Sequence, residues 1–180
     1  MPAALKNFAW SSLREEYLEY IFLGELCREF WRRDMPVDVL RSHTDRSGFD
    51  LVLELGAHQR HVQLKSTILG GRAATQNVNR TLEIKPGGCV VWMVIESETL
   101  APDHFLWFGA PDPAAPMPTL GTRIARHAKA NAQGIKASRP NIRVLNKGQF
   151  EKIDGFDALA TRLFPAGFAE TVLPVMETTG

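Results

Sequence analysis

Three polar residues stand in an otherwise apolar neighbourhood: Asp50 heads the run Leu51–Leu55, and Gln63 and Lys65 stand two apart on the segment that follows. Phe49 to Leu55 is rich in strand formers, and the stretch GAHQR reads as a Gly-led turn of about five residues before apolar character resumes at Val62. The pattern predicts a β-hairpin. Alternate strand residues share a face, so Gln63 and Lys65 are neighbours, and Asp50, Val52 and Glu54 lie opposite Leu51, Leu53 and Leu55. Antiparallel pairing then carries Asp50 towards the far end of the second strand, and an acid, an amide and an amine gather beside one sheet face. A fourth candidate, Glu25, lies within the apolar stretch IFLGELC, where a buried carboxylate is costly without a cation or hydrogen-bond partners. Gly24 beside it predicts a close helix-to-sheet approach, because a mid-helix glycine otherwise costs about 1 kcal/mol against alanine. Glu19 and Glu29, within two helical turns, compete for the role but read as exposed helix charges.

Several elements must position these residues. Ser12 to Glu15 has the S-x-x-E form of a capping box, predicting a helix that runs to about Arg33 and ends before Pro36. VDVL (37–40) reads as a short strand. The stretch after Lys65 reads as a loop with one or two helical turns around 73–80. CVVWMVIE (89–96) is a continuous apolar run expected of a central strand covered on both faces, with HFLWFG as its partner. Beyond a proline-rich loop, RIARHAKANA predicts a helix, NIRVL a short strand and GFDALATRLF a last helix. This order implies an α/β sandwich around a central mixed sheet. The whole chain, 1–180, reads as one domain: a core over 12–96, then a strand, the Pro-rich loop and a basic part over 104–165.

At 180 residues the chain is long enough to bury a substantial core. Its two cysteines, Cys27 and Cys89, form no CxxC or Cys/His cluster, which argues against a disulfide framework or a zinc site. With no charged leader and no membrane-length apolar run, a cytoplasmic protein without membrane contact is expected. His43, His58, His61, His104 and His127 show no metal spacing and read as loop or surface residues. Trp92, Trp107 and Phe108 read as core at strand positions. Net charge is only +1, yet from Thr119 to Lys152 eight Lys or Arg stand against one acid, a local excess of seven. Arg123, Arg126 and Lys129, three apart on the expected helix, would follow a phosphate backbone along one flank, with Lys136 and Arg139 beyond them. The plain alternative is a solvated face.

An aspartate opening a strand, Q-x-K on the next, and a preceding helix glutamate together resemble the PD-(D/E)XK nuclease superfamily. The likeness covers about residues 12–96. It places Glu25, Asp50, Gln63 and Lys65 at the family's catalytic positions. Phe49 replaces the motif's proline, and Gln63 stands where most members carry an acid, as in a branch that reads D…Q-x-K. The resemblance implies a restriction-endonuclease-like α/β/α sandwich and a DNA endonuclease of repair, restriction or mobile-element defence. It further implies Mg²⁺ (or Mn²⁺) held by Asp50, Gln63 and Glu25, Lys65 orienting the attacking water, and a homodimer that cuts both strands. Two carboxylates balance one divalent ion, so a single ion is expected. Taken singly, Asp50 reads as a strand-start residue and Lys65 as an exposed strand end; their joint spacing carries the functional reading. The competing expectation keeps the fold without the chemistry, as a nucleic-acid-binding or assembly module.

Overall fold

In the computed structural model the described residues are 9–42, 47–127, 134 and 136–165. Helix α1 (Ser11–Arg32) leads into β1 (Asp38–Arg41), β2 (Leu51–Leu55), β3 (His58–Ile68), β4 (Thr75–Asn79) and a 3₁₀ turn (Arg80–Ile84). There follow β5 (Cys89–Ile95), β6 (Pro102–Gly109), β7 (Ile124–Arg126), β8 (Ser138–Asn146), β9 (Glu151–Ile153) and helix α2 (Gly155–Leu163). Six strands form a mixed sheet in the order β1-β2-β3-β5-β6-β9, and three form a second sheet, β4-β8-β7. Every pairing is antiparallel except β3 with β5.

The large sheet is covered differently on its two faces. On one, Leu18, Phe22, Leu26 and Phe30 of α1 and Leu159, Ala160 and Leu163 of α2 pack on Leu51, Leu53, Leu55, Val62, Val91 and Met93. On the other, Val90, Trp92, Val94, Leu106 and Phe108 meet Val78 and Leu145 of the small sheet, with Leu82, Met117, Leu120 and Phe150. All seven residues of β5 are buried, as its unbroken apolar sequence predicts for a strand with both faces covered. The expected α/β class holds, but the second layer differs from the α/β/α expectation. Among the described residues both helices lie on one face, and a three-stranded sheet takes the other.

Local differences have physical reasons. The hairpin turn is two residues, Gly56 and Ala57, because His58 to Arg60 already pair with Leu55 to Leu53; Gly56 takes the left-handed φ of 58° that such a turn needs. Helix α1 begins at Ser11 after Trp10, with no side-chain cap, so Ser12 does not form the expected capping box. The stretch read as a partly helical loop contains β4, whose single buried residue is Val78. Ile124–Arg126 is a strand rather than the start of a basic helix, and residues 128–133 lie outside the described set. No helix among the described residues is long and apolar enough to cross a membrane.

A cleft at the open end of the hairpin

Strand β3 has eleven residues and β2 only five. Their pairing ends at Leu51 with Val62, while β3 continues beside β5 to Ile68. The second half of β3 therefore has β5 on one side and no β2 partner on the other. Asp50 occupies the first vacated position: its N–H donates to Val62 O at 2.9 Å, and its Oδ2 accepts the next strand amide, Leu64 N–H, at 2.6 Å. The carboxylate thus extends the ladder by one bond and is fixed beside the step from Gln63 to Lys65.

Gln63 and Lys65 register with Val90 and Trp92 of β5, which face the small sheet, so both side chains project to that face. A cleft of about 790 Å³ opens there. Asp50, Gln63 and Lys65 form its floor; Arg14, Glu15, Glu16 and Glu19 of α1 stand on one side, and Gln76, Asn77, Asn79 and Arg139 of the small sheet on the other. Gln63 is buried, and its Oε1 accepts from Asn79 N–H at 3.3 Å, which ties the two sheets together at this point. Gly48, also on the wall, holds φ at 77°, and a Cβ there would stand 2.3 Å from Thr81 Oγ1; only glycine lets the loop reach the floor this closely. Thr81 in turn donates to Ser47 O at 3.1 Å.

The helix carboxylates are not equivalent. Glu19 pairs with Arg41 Nε at 2.5 Å and Glu16 accepts from the Tyr20 hydroxyl at 2.6 Å, whereas Glu15 is exposed at the cleft. Glu25, expected at the site, is placed elsewhere. It lies six residues beyond Glu19, the last α1 residue at the cleft, 42% exposed and paired with Arg28 at 2.9 Å. Gly24 gives it no close approach to the sheet, since a Cβ there would meet nothing within 4 Å. Glu29 pairs with Arg32 at 2.6 Å.

Among the described basic residues expected to meet a polyanion, only Arg139 lines the cleft. Arg123 donates to Asn146 Oδ1 at 2.8 Å, and Arg126 and Lys136 are exposed away from the floor. The helical alignment of Arg123 with Arg126 does not form, because the segment is strand, and Lys129 lies outside the described residues. Arg14, Gln76, Asn77 and Asn79 were not anticipated. The only signal for the amides was the T-Q-N-V-N alternation about one apolar residue, which resembles a loop as readily as an edge strand.

Two polar residues expected at the surface or left unassigned are buried in β3. His61 is 8% exposed; its Nδ1 lies 2.7 Å from Pro86 O and its ring meets Phe49 edge-on. Burial holds the His61 pKa below its ordinary value, against the opposing effect of the Pro86 carbonyl. Arg60, wholly buried, donates to the carbonyls of Leu163, Ala110 and Pro111 at 2.8, 2.9 and 2.7 Å, and so pins β3 to the loop after β6 and to the end of α2.

No protein-family model matches the chain, and no curated protein matches it in sequence. Among the described residues no three His, Cys, Asp or Glu side chains group closely enough to hold a metal ion by themselves. The donors around the floor are all oxygen: the Asp50 carboxylate, the Gln63 amide and the Glu15 carboxylate on the wall. That chemistry fits a hard cation that keeps several of its waters, as Mg²⁺ does, and does not fit zinc.

Proposed function

We propose that the chain is a divalent-metal-dependent endonuclease of the PD-(D/E)XK type acting on DNA, with Asp50, Gln63 and Lys65 as its motif and Glu15, rather than Glu25, as its helix carboxylate. One observation carries the reading: the end of the β2–β3 pairing sets an acid, an amide and an amine on the floor of one cleft that has helix carboxylates on one side and an arginine on the other. A bound Mg²⁺ or Mn²⁺ supplies an activated water and stabilises charge on a phosphate. Asp50 would hold it, with Gln63 and Glu15 contributing oxygen.

The remaining work falls to the chain's own side chains. Asp50 is fixed by the Leu64 amide, so its carboxylate needs little reorganisation to act as an anionic ligand. Lys65, two residues on from Gln63, presents an ammonium that counters developing negative charge and orients the attacking water. Arg139 and Arg14, which both line the cleft, would hold phosphates on either side of a scissile bond. Such contacts position a strand without reading its sequence.

A second reading is favoured by a specific contact. Gln63 Oε1 already accepts the Asn79 amide, and a residue committed to joining two sheets suits a nucleic-acid-binding or assembly module without catalysis. Supercoiled plasmid incubated with the protein and Mg²⁺ or Mn²⁺ separates the two. The nuclease reading expects nicking that EDTA and Lys65→Ala abolish while plasmid binding persists. Binding without nicking by the wild type, in either metal, overturns it in favour of the module.

A further inference from the structure

A second periodic pattern on α1 belongs to neither the core nor the cleft. Leu13, Tyr17, Tyr20, Gly24, Cys27 and Trp31 are spaced alternately by four and three residues, and every one is exposed. Leu13 is 40% exposed, Tyr17 and Tyr20 48% each, and Trp31 84%. At 100° per residue this row lies on the side of the helix opposite Leu18, Phe22, Leu26 and Phe30, which face the sheet. A 3.5-residue spacing is the period by which two helices keep one seam in contact along their length. Three aromatic rings in a continuous exposed row are also what interfaces enrich and monomer surfaces avoid.

We propose that this face is the seam of a homodimer in which α1 packs antiparallel against α1 of a second copy. Centring the pair on Phe22 sets Tyr20 over the partner's Gly24, Tyr17 against the partner's Cys27 and Trp31 against the partner's Leu13. Each large ring then meets a small or aliphatic residue. A parallel, in-register pair would stack Trp31 on Trp31 and leave Gly24 facing Gly24 across a gap. The open space where a Cβ of Gly24 would stand is the hollow that a tyrosine ring fills. Helix α1, with 22 residues, is about 33 Å long, enough for the six contact layers.

The area agrees. With about 200 Å² per aromatic side chain, the exposed parts of the three rings together with Leu13, Gly24 and Cys27 offer about 500 Å² per copy. Two copies bury about 1,000 Å², the lower bound of a specific interface, before Trp10 at the helix entrance adds to it. Charge disfavours an anionic membrane as the occupant, because α1 carries five glutamates against three arginines. Arg28, at the rim of the seam, is already paired with Glu25, which lowers the cost of bringing it near Arg14 of the second copy.

Sedimentation equilibrium and light scattering of the full chain over micromolar concentrations test the seam. The expected mass is twice 20.1 kDa. Tyr20→Glu and Gly24→Arg should each raise the dissociation constant at least tenfold while the circular dichroism stays that of wild type, since both positions are exposed in the single copy. Gly24→Arg also replaces a poor helix former, so its loss of dimer cannot come from a weakened helix. Orientation is read by cross-linking: a short bismaleimide should join Tyr17→Cys of one copy to Cys27 of the other but leave wild type unjoined. In wild type the two Cys27 thiols lie about 15 Å apart along the axis. Cys89 stays silent, being buried with its thiol pushed up to about 12. A monomeric wild type, a dimer indifferent to both variants, cross-linking through Cys27 alone, or a monomer that instead sediments with anionic vesicles each overturns the proposal.

Discussion

Replacing Asp50 separates a residue that completes a hairpin from one that holds a cation. Its Oδ2 accepts Leu64 N–H at 2.6 Å, a bond that either a carboxylate or an amide oxygen can make. Asp50→Asn keeps that bond and surrenders the charge. Hydrogen bonds to charged groups contribute about 1.5–3 kcal/mol and neutral ones about 0.5–1.5, so the loss should be about 1 kcal/mol. For a chain of this length that is a fall in Tm of about 2–4 °C. Asp50→Ala removes the acceptor and leaves a half-buried strand amide to weak hydration, for about 2–3 kcal/mol and a proportionately larger fall. Stability should therefore step down in the order wild type, Asp50→Asn, Asp50→Ala. Metal-dependent nicking should instead drop for both variants together, by more than about 100-fold, because even partners outside a metal's direct ligands cost 10–100-fold when lost. Differential scanning fluorimetry gives the first series and plasmid relaxation the second. Activity that follows the graded stability series, with Asp50→Asn within about tenfold of wild type, would refute Asp50 as an anionic ligand and leave it a hairpin residue.

Three further outcomes are expected. Glu15→Gln should lower nicking at least tenfold while Glu25→Gln, which only breaks an exposed pair with Arg28, stays within about twofold; both are read in the same relaxation assay. Because burial holds the folded-state pKa of His61 below the unfolded value of about 6.5, the unfolded chain binds more protons between the two. Stability is therefore full above pH 6.5 and is lost as pH falls through that window; urea midpoints at pH 7.5 and 5 should show the loss, and His61→Gln should shrink it. Arg60→Ala should cost about 3–5 kcal/mol in a urea titration, since it strips a buried guanidinium from the carbonyls that join β3, the loop after β6 and α2.

The elements most legible in the sequence were those whose burial is written in consecutive residues. The unbroken run of β5 and the alternation of β2 appear where the pattern puts them, whereas α1, apolar on more than one face, buries only the face of Leu18, Phe22, Leu26 and Phe30. Asp50, Gln63 and Lys65 share a cleft because strand parity alone fixes their face. The helix carboxylate was harder, because four-residue spacing on α1 serves two faces. Glu25 looks buried when its neighbours Leu23 and Leu26 are read along the chain, but rotation about the axis carries it towards solvent and Arg28. The basic segment misled for a related reason. Its Arg and Lys at spacing of three suggest a helix, yet Ile124–Arg126 is drawn into β7 by pairing with Ser138–Arg143, a contact no local pattern announces.

Where β2 stops also explains why chemistry belongs at this end of the sheet. A strand that outlasts its partner leaves backbone amides needing acceptors, and a short acidic side chain is well suited to supply one. Here Asp50 takes the Leu64 amide, which commits one oxygen to the fold. The same ending withdraws the sheet from the space that α1 and the small sheet flank, so the charged floor opens into a cleft instead of being sealed by another strand. Lengthening the pairing would close it. An extension of β2 past Asp50 would satisfy Leu64 through the backbone, release the carboxylate from its fixed position and cover Lys65. Stability of the hairpin and access to the floor are thus opposed at a single residue, and the length of β2 sets the balance.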